Sequence, residues 1–327
     1  MRMMMLNDKK QIVSQPDLKD AAELVANQSG LVWLDLNADA IEASHRIMED
    51  TFHFHPLSID DALVETHIPK IDDWQDYLYL ALIAVDADSP LEDITKSIEL
   101  DVFIGKSFLV TYHPRACHAI DAVWASCQRD ERFLQRGSNY LLYAILDQMA
   151  NEYMALIDRM DLMVEGVEDA VLEKPDNRLL TNIFSIKRTL MNLRRVIAPQ
   201  REVLNKLSRG DFPVVDLKDR MYYRDIYDHL VRIHDVTESL RDLVGGVLDI
   251  YLSVVNNRLN DIMKTLTIIT TLFMPLTFLT GFFGMNYFGP AIDLHAWTGM
   301  ASFLGILVVM LGLPLGMYLW MRKRAWM

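Results

Sequence analysis

Two apolar stretches limit what this 327-residue chain can fold into. Leu266 to Phe283 reads LTIITTLFMPLTFLTGFF, 18 residues, and Trp297 to Trp320 reads WTGMASFLGILVVMLGLPLGMYLW, 24 residues. From Leu266 to Met321 the sole charged side chain is Asp293, whereas the preceding sequence is dense in Asp, Glu, Lys and Arg. At a rise of about 1.5 Å per residue the runs extend roughly 27 and 36 Å, enough for the hydrocarbon core of a bilayer. Buried helices of soluble proteins seldom reach such lengths without a charge, so both runs read as transmembrane helices. The Met-rich start, MRMMMLN, lacks a continuous apolar core and does not read as a signal peptide.

Flanking charge orients the spans. Arg322, Lys323 and Arg324 follow the second run, and the segment between the runs has no Lys or Arg. Positive charge stays inside, so the expectation is a cytoplasmic N-terminal region, a cytoplasmic tail and an outer loop. The net charge is −13; the three tail cations and Asp293 together contribute +2, which leaves −15 on residues 1–265. An acidic body argues against nucleic acid as a partner and suits cations. Cys117 and Cys127 stand ten apart and form no CxxC, which argues against a zinc cage or a disulfide frame. There is no GxxxxGK[ST] loop for a nucleotide. No nucleophile–base or metal–water constellation points to an enzyme.

Along the chain, LVWLDL (31–36), YLYLALIAV (77–85) and IELDVFIGKSFLV (98–110) read as strands, with helical character over 38–48 and 57–64 between them. Residues 1–118 are therefore expected to form a mixed α/β domain. Strand signals then vanish. Helical patterns over 140–173 and 177–207, split by KPDN and ended by RGDFP, predict an antiparallel hairpin within residues 119–215. A third pattern starts near Leu217 and enters the first apolar run with no proline between Val215 and Met274. It predicts one helix of some sixty residues, about 90 Å long, with residues 216–265 as a stalk. The membrane domain is then 266–327: a first span over about 266–284, a loop over 284–296, a second span over about 297–321 and the basic tail.

Asn260, Met263, Thr267, Thr270, Met274, Thr277 and Gly281 follow one another at steps of 3 and 4, a heptad seam along this helix. The faces beside it are Leu, Ile and Phe. Thr and Gly favour close helix packing in membranes; hydroxyls, an amide and soft Met constrictions equally suit the wall of a pore shared by several copies. The spacing serves both readings. Two spans cannot enclose a pore without oligomerisation, and the seam begins in the polar stalk, which favours the pore. Gly284, Met285 and Asn286 follow the helix end. Alone, the tripeptide is a helix stop and a turn; in a ring, its amide oxygens would offer neutral acceptors to the water shell of a cation such as Mg2+.

YLSVVNNRLNDIMKTLTIITTLFMPLTFLTGFFGMN resembles the stalk, first membrane helix and GMN signature of the CorA divalent-cation transporters. The likeness continues in FHFHPLSIDDALVETHIPKID (52–72), YLLYAILDQMANEY (140–153), APQREVL (198–204) and YYRDIYDHLVRIHD (222–235), and is weakest over the first ~30 residues. It implies a homopentamer with a funnel-shaped α/β cytoplasmic domain, a long stalk helix and two C-terminal transmembrane helices in a prokaryotic inner or plasma membrane. It implies Mg2+ as main cargo, with Co2+ and Ni2+ also carried, uptake driven by membrane potential, and no nucleotide.

Residue by residue, the resemblance makes Gly284, Met285 and Asn286 the outer selectivity filter. It lines the pore with Asn260, Met263, Leu266, Thr267, Thr270, Met274, Thr277 and Gly281, with Leu266 and Met274 as constrictions. It places a regulatory Mg2+ between subunits, Asp61 facing Asp225 of a neighbour, with Asp60 and Asp147 completing a second site. Nothing in spacing selects these four from 45 acidic residues. Carboxylates gathered at an interface repel, and a bound Mg2+ relieves the repulsion, so cation occupancy would hold the closed arrangement. Position 60 is Asp where the family often has Glu, and YFGPAIDL with Asp293 replaces its more acidic outer segment. His53, His55 and His67 beside Asp60 raise a zinc site as an alternative, although HPL also resembles the family's helix entry. His229 and His234 have no assigned role. Two other readings stand beside Mg2+ transport: a ZntB-like zinc transporter and a membrane-anchored sensor or scaffold.

Overall fold

A computed structural model describes residues 1–7, 11–14, 16–38, 41–65, 68–85, 97–173, 175–210, 212–285 and 299–324. They form two compact units, Met1–Leu248 and Asp249–Met327.

The first unit is built on a seven-stranded sheet in the order β2-β1-β3-β7-β6-β5-β4. The strands are β1 (Arg2–Leu6), β2 (Ile12–Ser14), β3 (Leu31–Asn37), β4 (Lys70–Asp73), β5 (Leu78–Ala84), β6 (Ile98–Ile104) and β7 (Phe108–His113). Among the described strands, only β3 and β7 pair in parallel. The predicted strand runs are all present, with corrections. The 98–110 run is two strands, because Gly105 turns the chain: its N–H donates to the Phe108 carbonyl at 3.0 Å. A Cβ at Gly105 would lie 2.4 Å from the Phe108 ring, so only glycine fits this turn. The Met-rich start is a strand whose Met3, Met4, Met5 and Leu6 are all buried.

Burial on both faces explains why YLYLALIAV has no alternation. One face carries Val32, Leu34, Leu36, Tyr79, Phe103 and Val110 against α1 (Leu18–Asn27), α2 (Ile41–Arg46), a π-helical turn (Ile47–Thr51) and α3 (Pro56–Leu63). Phe54 and Phe103 stack there at 4.3 Å. Trp33 lies on the opposite face, 4.8 Å from Trp124 of α4 (His118–Arg129). After the short α5 (Arg132–Gln135) come α6 (Ser138–Glu173) and α7 (Asn177–Arg209). Asp176 caps α7, its side chain accepting from the Leu179 N–H at 2.9 Å.

The third long helix, α8, is Arg220–Phe283, 64 residues, and starts three residues later than Leu217 because residues 216–219 are turned by an Asp219 N–H to Asp216 carbonyl bond. Val164 and Val167 of α6, Ile183 and Ile186 of α7 and Val244 and Val247 of α8 meet in one apolar layer of the first unit. The second unit contains the remainder of α8 and α9 (Met300–Lys323). These two helices are long and apolar enough to cross a membrane.

Candidate functional site

Along the later part of α8 every seam residue is exposed, namely Asn260, Met263, Thr267, Thr270, Met274, Thr277 and Gly281, and so is Leu266. Partly covered residues recur instead at Ile268, Thr271, Leu272, Pro275, Leu276 and Leu279. At about 100° per residue that covered stripe is centred roughly 150° from the seam, nearly the far side of the helix. α9 shows the same habit, partly covered at Ile306, Met310, Pro314 and Met317.

The seam hydroxyls have a defined polarity. Thr267 donates to the Met263 carbonyl at 2.8 Å, Thr270 to Leu266 at 2.9 Å and Thr277 to Phe273 at 3.0 Å. Each hydroxyl proton is engaged by its own helix, so what remains on the oxygen is acceptor lone pairs. The threonine lone pairs and methionine thioethers suit the water shell of a cation. The helix ends at Gly284, whose N–H reaches the Thr280 carbonyl at 2.9 Å. A Cβ there would come within 2.8 Å of that same oxygen. Met285 is exposed. Asn286 and Asp293 lie outside the described residues.

The four carboxylates fall into two groups. Asp147 on α6 is half-buried and sits within the field of Asp225 on α8 and of His229, one turn further along that helix. Burial, then repulsion from Asp225, push the Asp147 carboxyl above the usual carboxylate range, against the opposing pull of His229 and of an Asn151 amide 3.4 Å away. Burial and the charges of Asp147 and Asp225 also raise the Tyr143 phenol. Asp60 and Asp61 lie instead on the last turns of α3. Asp61 is half-buried and paired with Lys70, whose ammonium also lies 3.3 Å from Asp72. No set of three or more His, Cys, Asp or Glu side chains converges on a metal position among the described residues. Within one chain, therefore, the two groups do not make a single cage.

The histidines near Asp60 have other duties. His55 caps α3, its Nδ1 accepting from the Leu57 N–H at 3.2 Å, and stacks on Trp74 at 4.2 Å. His53 Nδ1 lies 3.1 Å from the Glu49 carbonyl. His67 is outside the described residues. Burial raises both thiols, Cys117 and Cys127, to about 12, so neither is a thiolate at neutral pH.

Sequence reasoning missed Lys70, which stands in the quoted 52–72 segment with no periodic signal. It also missed Gln200 and Tyr153. Gln200 accepts the Ile83 N–H at 2.9 Å, and Tyr153 donates to the Ile83 carbonyl at 2.7 Å. A Gln directly after the helix-interior Pro199 was the available hint.

Comparison with known proteins adds the family. The family model described as "CorA-like Mg2+ transporter protein" matches residues 28–323. The chain is 32% identical over 295 residues to "Putative metal ion transporter YfjQ" of Bacillus subtilis, covering 90% of this chain and 89% of that one. It is 34% identical over 237 residues to "Cobalt/magnesium transport protein CorA" of Thermotoga maritima, covering 72% and 67%. The complete structure of the CorA magnesium transporter from Methanocaldococcus jannaschii superposes with a TM-score of 0.84 at 21% identity, over 100% of this chain and 99% of that one. This likeness is one of fold: an N-terminal α/β domain, a long helix and two C-terminal apolar helices, as the sequence led one to expect. The chain belongs to the CorA-like Mg2+ transporter family.

Proposed function

We propose that this chain is a membrane channel for Mg2+ that also carries Co2+ and Ni2+, assembles as a homopentamer, and is held closed by internal Mg2+ bound between subunits. The observation that carries the reading is the seam on α8. It is polar, exposed along its length, nearly opposite the partly covered stripe, and its threonines present only acceptor lone pairs. A lipid-facing helix gains nothing from such a surface, and a shared pore needs one. Relatives named for cobalt and magnesium transport support the choice of cargo. In this reading Asn286, with Gly284 and Met285 shaping its turn, forms the outer ring, and Asn260, Met263, Leu266, Thr267, Thr270, Met274, Thr277 and Gly281 line the path below it.

The regulatory ion fits the donor chemistry. Mg2+ takes carboxylate oxygens and keeps several waters. Asp147 carries an electrostatic strain that a cation would relieve, since burial and Asp225 both disfavour its charge. Asp61 with Asp225 of a neighbour, and Asp60 with Asp147, would supply the two sets. Because Asp225 and the seam stand on one helix, loss of the ion when internal Mg2+ falls would shift the population towards an open pore by its differential affinity for the two states. Residues 1–118 and 119–215 would form the cytoplasmic body, 216–265 the stalk and 266–327 the membrane domain, with both termini inside, as the basic tail favours.

The test is a flux assay in reconstituted vesicles comparing Mg2+, Co2+, Ni2+ and Zn2+, with and without a proton gradient. Mg2+ uptake should follow an inside-negative potential without needing the gradient. Asn286→Ala should abolish it while the oligomer remains intact. Undiminished uptake by Asn286→Ala would remove the selectivity-ring role, and gradient-dependent uptake confined to Zn2+ would replace this reading with a zinc transporter.

A further inference from the structure

We infer that Lys70 is a tethered competitor of Mg2+ for Asp61, so that this internal ion pair sets the Mg2+ concentration at which the channel closes. The inference rests on the sensor reading above. Asp61 lies in the last turn of α3, and Lys70 opens β4, the strand at one end of the sheet order. The register places Lys70 opposite Ala81, and Asp72 opposite Tyr79, so Lys70, Asp72 and Tyr79 share one face of the sheet. On that face the ammonium bonds Asp61, lies 3.3 Å from Asp72, and stands 5.2 Å from the centre of the Tyr79 ring.

Two features make this a switchable pair and not a structural rivet. The partners are part-exposed, 31% for the Lys70 side chain and 40% for Asp61, so the pair is weak enough for a divalent ion to displace. A released Lys70 has somewhere to go: Asp72 and the face of Tyr79 remain in reach, so surrender of Asp61 leaves no buried cation stranded. While the pair is formed, Mg2+ reaches Asp61 only by replacing the ammonium. For simple competition the apparent dissociation constant scales with one plus the pairing constant. A pair of this exposure has a pairing constant of about 1.4 to 5, which weakens Mg2+ binding about two- to sixfold.

The experiment titrates Mg2+ into the purified full-length protein and reads protection from limited proteolysis, alongside inhibition of flux by internal Mg2+ in vesicles. Lys70→Met keeps the aliphatic stem and removes the charge, and Lys70→Gln gives a second neutral side chain. In both, the Mg2+ midpoint should fall about two- to sixfold, while Lys70→Arg should stay near the parent. An unchanged midpoint would overturn the proposal, and so would a higher one, which would mean that Lys70 holds Asp61 in place for the ion. Asp61→Asn combined with Asp225→Asn separates the two levels of inference. If that pair abolishes the Mg2+ response while Lys70→Met changes nothing, the competitor fails and the sensor stands. If it leaves the response intact, the sensor reading itself fails.

Discussion

Beyond the Lys70–Ala81 pair, no strand among the described residues borders the outer edge of β5, yet Ile83 there is fully buried. Its backbone is satisfied by two side chains from the helical layer, the Gln200 carbonyl oxygen at 2.9 Å and the Tyr153 hydroxyl at 2.7 Å. Gln200 is 2% and Tyr153 0% exposed, so water cannot substitute for either. Gln200→Leu keeps the volume and strips the acceptor, leaving a buried N–H unpaired, which costs about 1–3 kcal/mol. Tyr153→Phe orphans a carbonyl and should cost less, about 0.5–1.5 kcal/mol. Gln200 and Tyr153 share Ile83 as their partner, so the double variant should fall short of the sum by at least ~0.5 kcal/mol. At roughly 2–4 °C per kcal/mol for a folded unit of this size, a 2 kcal/mol loss lowers Tm by about 4–8 °C. The assay is thermal unfolding of the full chain in detergent followed by near-UV circular dichroism, with exposed Gln128→Ala on α4 as control. If Gln200→Leu melts with that control, the edge is not held by this clamp. The clamp ties the sheet that carries Lys70 to α6, the helix that carries Asp147.

Two pH effects follow from the same unit. His113 Nε2 lies 3.2 Å from Asp35 and its Nδ1 2.6 Å from the Arg115 carbonyl. Burial opposes its charge, but Asp35 outweighs burial and raises it above 6.5. Its stabilisation is therefore complete below about pH 6.5 and lost as pH rises through the raised value, with a slope no steeper than about 1.4 kcal/mol per pH unit. Urea unfolding across that window should show the decline, and His113→Gln should flatten it; an unchanged slope would refute the assignment. Asp147, raised by burial and by Asp225, takes up its proton at higher pH than an ordinary carboxylate. Mg2+ protection should weaken on acidification earlier than an ordinary carboxylate would allow, and Asp147→Asn should remove that early step from the midpoint-versus-pH curve.

Much of the candidate site was legible before any coordinates because its signals are local. A charge-free run needs only its own length to imply a span, and the heptad seam needs only one uninterrupted helix, which α8 provides. Other elements lacked a local signal. β1 is a run of methionines with no alternation, and β4 reads KIDD, a polar strand at the end of the sheet held by β5 on its one paired side. The carboxylates were nominated through resemblance and not spacing, since Asp61, Asp147 and Asp225 stand on three different helices.

Periodicity along the chain was enough to place the two spans, the polar face of α8 and the α/β character of the first unit. Which polar group meets which was decided only by tertiary structure: Lys70 with Asp61, Asp147 in the field of Asp225, Gln200 and Tyr153 with the Ile83 backbone. The reason is physical. Side-chain direction repeats every two or 3.6 residues and is written locally, whereas an ion pair or a capped sheet edge depends on how separate elements pack, and no stretch of sequence encodes that distance by itself.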